Sequence, residues 1–155
     1  MKNLKMVKPL NNKLTRHEVR IKAVQTVFQL ITPLEDITTE DALDFALFAG
    51  NDPEEGYAGN VDAYLRELVE GVMAQQATLD QQISQYLTDW TISTIAKIDL
   101  TILRIAFYEI LFVDNARVPN TVAVNEAIEL SKAFSDDKSR NFISGVLAKV
   151  LENQA

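Results

Sequence analysis

Residues 100–113 constrain this chain more than any other stretch. Leu100, Ile102, Leu103, Ile105, Ala106, Phe107, Ile110, Leu111, Phe112 and Val113 leave almost no polar side. A helix that is apolar nearly all round is buried at the centre of other elements rather than laid on a surface. The flanking segments read as the helices that cover it. Thr15-Arg16-His17-Glu18 has the form of a capping box, in which hydroxyl and carboxylate satisfy the free amides of a helix start. Val19, Ala23, Val27, Phe28 and Ile31 continue at helical spacing, and Pro33 ends the run.

Thr39-Glu40-Asp41 reads as a second helix start, with acids where the dipole favours them, and Gly50 as its close. Residues 50–60 hold three glycines and a proline and read as a loop, with Asn60 placed to cap the next helix. Val61, Tyr64, Leu65, Leu68, Val72, Leu79, Ile83 and Leu87 then mark one long amphipathic helix, or two broken between Gln75 and Thr78. Trp90 and Ile92 lead into a short segment, and Asp99 is placed to open the central helix. Asn115 to Asn120, with Pro119, is a turn. Ala123, Ala127, Leu130 and Phe134 form the next stripe. Ser135-Asp136-Asp137 caps the last helix, whose stripe is Ile143, Val146, Leu147 and Val150. Gly71 and Gly145 fall inside helices and are expected to permit close helix contact. No alternating strand pattern competes, so the expected fold is all-α with six or seven helices.

Charge is distributed unevenly. The net formal charge is −7, yet residues 1–25 carry seven basic side chains against Glu18 alone, and the other 130 residues carry eight basic and 21 acidic. Residues 1–14, with Pro9 and Asn11-Asn12, read as a basic arm. Such polarity suits an anionic partner at one end and a basic partner on the body, or a merely solvated tail. The lysines at the start precede no apolar run of the secretory kind, and no apolar stretch nears the roughly 20 residues of a membrane span.

The residues give little support to catalysis. Cysteine is absent and His17 is the one histidine, so neither a thiolate site nor a histidine cluster for zinc can be assembled. Gly50, Gly56 and Gly59 match no phosphate-loop pattern. Glu54-Glu55 and Asp136-Asp137 have loop and capping roles. The expectation is a protein without catalytic residues, metal or cofactor. Nucleic acid is a better fit. Lys13, Arg16 and Arg20 fall at i, i+3 and i+7, one helical stripe, and Lys22 extends the field toward successive phosphates. Phe142 follows Lys138, Arg140 and Asn141. It reads as a base-stacking aromatic among cations or as a core ring.

Several segments together resemble the NusB family. They are Ala23-Val24-Gln25-Thr26-Val27-Phe28, Leu68-Val69-Glu70-Gly71-Val72, Ile98-Asp99, Ile102-Leu103-Arg104-Ile105-Ala106-Phe107-Tyr108-Glu109-Ile110, Val118-Pro119, Ala123-Val124-Asn125-Glu126-Ala127-Ile128-Glu129-Leu130-Ser131-Lys132-Ala133-Phe134, and Lys138-Ser139-Arg140-Asn141-Phe142-Ile143-Ser144-Gly145-Val146-Leu147. The resemblance runs from about residue 15 to 151 in family order. It implies a NusB-like fold of about seven helices in two roughly perpendicular three-helix bundles, here about 15–88 and 90–152 within one domain. It further implies a cytoplasmic transcription antitermination factor that binds single-stranded boxA RNA with the ribosomal protein NusE. Other Nus factors and RNA polymerase would be met indirectly, and a homodimer is possible when the protein is free. Carried over by position, the RNA-contacting set falls on Arg16, His17, Arg20 and Phe142, and partner contacts fall on Phe28 and Asp99. Glu18, Phe28, Lys138 and Ser144 depart from the family's usual residues. The alternatives are an accessory domain of a ribosomal RNA cytosine methyltransferase, or a helical scaffold that binds protein only.

Overall fold

A computed structural model describes residues 14–32, 36–48 and 61–154. Residues 1–13 of the basic arm, with Lys13, and Pro33, Gly50, the 50–60 loop and Asn60 lie outside the described residues. Among the described residues seven α-helices succeed one another: α1 Arg16–Ile31, α2 Thr39–Phe48, α3 Ala63–Ala74, α4 Gln76–Ser84, α5 Lys97–Phe112, α6 Asn120–Phe134 and α7 Asp137–Gln154. A 3-10 turn, Ile92–Thr94, precedes α5. Among the described residues there is no strand.

The central helix is α5. It packs against α1, α3, α4, α6 and α7, so it touches helices on both sides of the division anticipated near residues 88–90. Every residue from Asp99 to Phe107 is buried, as are Glu109 and Ile110, and Ile102 and Leu103 are fully enclosed. Fully burying a side chain of that size contributes roughly 1.5–3 kcal/mol. The buried set includes charged positions, and these are paired. Arg104 forks onto Asp80 of α4 through Nε and Nη2, each at 2.8 Å, which pins α4 to α5.

The helix ends obey local chemistry. Thr15 and Glu18 form the expected capping box of α1. Asp62 caps α3 through the amides of Tyr64 and Leu65. The chain breaks at Gln75, which ends α3 and begins α4. Asp136 caps α7: its side chain accepts from the Ser139 amide at 2.9 Å and its carbonyl from the Arg140 amide. Asp99, by contrast, does not open α5. The helix starts at Lys97 behind Ala96, and Asp99 lies within the first turn. The two helical glycines also differ. A Cβ on Gly71 would sit 2.3 Å from the Tyr108 ring, so α3 and α5 meet there at glycine distance. Around Gly145 there is open space, and the expected close contact is absent.

Candidate functional site

Two surface regions hold most of the candidate residues. The first is the start of α1. Arg16 is exposed, with its guanidinium 4.3 Å from the centre of the Tyr64 ring and only a loose approach, 3.9 Å, to Asp62. His17 is exposed, and its Nδ1 lies 3.1 Å from Glu126 Oε1 of α6. Lys22 is half-buried, and burial lowers its pKa against the opposing pull of Glu18.

Arg20 does not belong to this exposed group. It is 3% exposed, and its Nε and Nη2 bind both carboxylate oxygens of Glu109 at 2.9 to 3.1 Å. Its Nη1 lies 3.7 Å from Glu126. Glu109 also accepts the Tyr64 hydroxyl at 2.5 Å. Burial alone would lower the Arg20 pKa, but the hydrogen bonds and charge of Glu109 outweigh it and the net shift is upward. Burial and then Glu109 raise the Tyr64 phenol. Helical spacing puts Arg20 on the stripe of Arg16. The acid that draws it inward lies 89 residues along the chain. Arg20 is thus a structural clamp between α1 and α5, turned away from any phosphate outside. Its clamp nevertheless serves the surface, because Tyr64 carries the Arg16 guanidinium, and that of Arg117 at 5.4 Å, on its ring.

The second region is the start of α7. Lys138 and Asn141 are exposed, and Arg140 pairs with Asp137 one turn before it. Phe142 is half-buried and meets Trp90 edge to face, with centroids 6.0 Å apart and planes at 62°. Trp90 is 46% exposed. The two rings wall a cleft of about 310 Å³, whose other sides come from Thr94, Ile95, Ala96, Asp99, Lys138 and Ser139. Asp99, expected to contact a protein partner, is 4% exposed and binds within the chain. Its two oxygens accept from the Ser135 and Ser139 hydroxyls, each at 2.7 Å. It therefore ties the start of α5 to the end of α6 and the start of α7. A buried carboxylate needs such donors, since unpaired it costs several kcal/mol.

Phe28 lines a different feature, an open groove of about 530 Å³ between α1, α2 and the ends of α5 and α6. Phe45, Ala46, Ile98 and Phe134 complete its apolar walls, and Phe45 is 71% exposed. Gln25 also lines it, with a buried Oε1 that has no hydrogen-bond partner.

The structure thus joins Lys138, Phe142 and Asp99 at one cleft, and Arg16 and His17 at another place. The two places are set by α6. Glu126 meets His17, and Ser135 just past the end of α6 meets Asp99, so about 12 Å of helix axis, the stretch from Glu126 to Phe134, separates them. Three contributors escape the sequence reading. Spacing marks Trp90 only as a lead into the next segment, although a tryptophan among Thr88, Asp89 and Thr91, off every helical stripe, is an exposed-aromatic signal. Phe45 and Ile98 flank the groove through tertiary packing that no local spacing shows. Among the described residues, no three His, Cys, Asp or Glu side chains group to hold a metal. The chemistry this surface offers is stacking on Trp90 and Phe142, charge pairing at Arg16 and Lys138, and apolar contact at Phe28 and Phe45.

Known proteins share this sequence and shape. The NusB family model matches residues 17–152. The transcription antitermination protein NusB of Lactiplantibacillus plantarum is 54% identical over 144 residues, covering 92% of this chain and 98% of that protein. The one from Enterococcus faecalis is 46% identical over 145 residues and 90% of each chain. Among solved structures, T. maritima NusB superposes with a TM-score of 0.74 at 26% identity, covering 91% of this chain and 93% of that one. A crystal structure of antitermination factors NusB and NusE in complex with dsRNA gives 0.71 at 20% identity, with 89% and 96% covered. A match from the first turn of α1 to the last turns of α7, shared with relatives of the same length and shape, leaves one assignment: the chain belongs to the NusB family.

Proposed function

We propose that this protein is a transcription antitermination factor that binds boxA-type leader RNA together with NusE, and has no catalytic activity of its own. What carries the reading is near full-length identity of 54% to a relative bearing that name. The surface supports it chemically. Single-stranded RNA is bound by cations that pair with phosphates and by aromatic faces that stack on unpaired bases. Arg16 and His17 at one place, and Lys138 with the Trp90–Phe142 pair at the other, supply both. A strand reaching across α6 would touch each in turn.

The apolar groove at Phe28 is the seat we assign to the protein partner. Exposed Phe45 on α2 gives it contact area. Exposed Glu40, Asp41 and Asp44 on α2 complement a basic ribosomal protein. A shared RNA makes the second contact intramolecular, so the pair binds more tightly than either protein alone. Such a factor works beside RNA polymerase in the bacterial cytoplasm.

Titration of labelled boxA RNA, with a scrambled RNA as control, tests this directly. Binding of boxA in preference to the control, tightened by added NusE, is the expected result. Equal affinity for both RNAs would reduce the chain to a nonspecific binder, no RNA binding would reduce it to a protein-only scaffold, and no effect of NusE would remove the partner assigned to the groove.

A further inference from the structure

The cleft between Trp90 and Phe142 is built in a way that general RNA binding does not require. Its lining holds two aromatic rings, the hydroxyl residues Thr94 and Ser139, and the cation Lys138. At about 310 Å³ it is in the lower range of small-ligand clefts. Rings set at 62° form a corner rather than a sandwich, so each keeps a face that the other does not cover. Trp90 spends no part of itself in a helix stripe and leaves 46% of its surface open.

The corner is also held rigid. After Trp90 the chain is locked by its own hydroxyls: the Thr91 amide donates to Thr94 Oγ1 at 2.9 Å, and Thr91 Oγ1 lies 3.1 Å from Ser93 Oγ. On the other wall, Ser139 is fixed by Asp99 at 2.7 Å, which sets the first turn of α7 against α5. A preformed aromatic corner loses little freedom on binding, so stacking there is realised as affinity.

We propose that Trp90 and Phe142 receive one unstacked nucleobase of the bound RNA, with Trp90 as its principal stacking face, the Ser139 and Thr94 hydroxyls at its edge and Lys138 on the adjoining phosphate. This rests on the reading of the chain as an RNA-binding factor and assigns Trp90 a binding role within it. A flat base lies against one open ring face of such a corner, and its linked phosphate explains a neighbouring cation better than an apolar peptide side chain would.

Trp90 is the only tryptophan in the chain, so its emission reports on the corner alone. The test titrates the full-length protein with single-stranded boxA RNA. Intrinsic fluorescence and the anisotropy of an end-labelled copy are read in parallel. Stacking quenches the Trp90 emission with the same midpoint as the anisotropy, and the RNA annealed to its complement does not quench. Trp90→Ala weakens binding about 5- to 150-fold, the range of one lost base–aromatic stack, with an unchanged salt slope. Trp90→Phe, which keeps a stacking ring, recovers most of the loss and guards against a folding defect. Anisotropy that reports binding while the emission stays constant overturns the base site but leaves the RNA-binding function standing, even if Trp90→Ala binds weakly. Parent-like affinity of Trp90→Ala overturns it equally. No binding by anisotropy removes the RNA-binding function, and the base site with it.

Discussion

At Glu109 a single carboxylate, 1% exposed, organises two neighbouring helices at once. It holds the Arg20 guanidinium from α1 in a bidentate grip and accepts the Tyr64 hydroxyl from α3. Removing one partner of such a pair strands a charge in the interior, so Glu109→Ala is expected to lose about 3–5 kcal/mol of stability in denaturant unfolding. Tyr64→Phe removes only a donor to that charge, and about 1.5–3 kcal/mol should go. The pH dependence separates this bond from general packing. The folded phenol is raised above its ordinary 10.0. Its contribution is therefore fully present below pH 10 and lost as pH climbs through the folded value. The stability gap between parent and Tyr64→Phe should hold constant up to about pH 10 and then narrow. A gap that ignores pH throughout that range would show that the hydroxyl bond is not its source. None of this network is legible in the sequence. Arg20 shares a stripe with Arg16 by spacing, and only the fold brings an acid from α5 against it. Asp99 turns inward unannounced for the same reason, since its serine partners are 36 and 40 residues away.

Helices are far more legible than side-chain partners. The apolar run of α5, the capping box of α1, the break at Gln75 and the Asp136 cap all rest on interactions within a few residues, which a sequence displays openly. How closely two helices approach is a different matter, and the two glycines show it. Gly71 and Gly145 look alike in sequence, yet one abuts Tyr108 and the other faces open space. Substituting each with alanine should move stability in opposite directions. Gly71→Ala forces the Tyr108 ring, itself stacked on Phe112 at 5.4 Å, to shift. Overpacking of this kind costs about 1–3 kcal/mol. Gly145→Ala meets nothing and gains the propensity difference, about 1 kcal/mol. Thermal melts of the two variants beside the parent decide it: two downward shifts would mean that α7 needs its glycine for a reason other than space.

Among the described residues, cations divide between those clamped inside, such as Arg20 and Arg104, and those held at the surface, such as Arg16 and Lys138. Family membership and fold class are readable because they depend on patterns spread along the entire chain. The site is readable in part. Arg16, His17, Lys138 and Phe142 reach the surface, whereas Arg20 and Asp99 turn inward and Trp90 emerges. If the strand is held by phosphate contacts at Arg16, near the middle of α6, and at Lys138 past its end, with stacking on the rings beside Lys138, cations and rings must leave different signatures in salt. The affinity of the protein for single-stranded boxA RNA, measured across a salt series, reads both. About four neutralised phosphates give a log–log slope near −3. Arg16→Ala combined with Lys138→Ala should flatten it by about 1.4, and Phe142→Ala should lower affinity at every salt concentration with the slope unchanged. An affinity indifferent to salt, or variants that track the parent's line, would contradict the shared RNA surface outright.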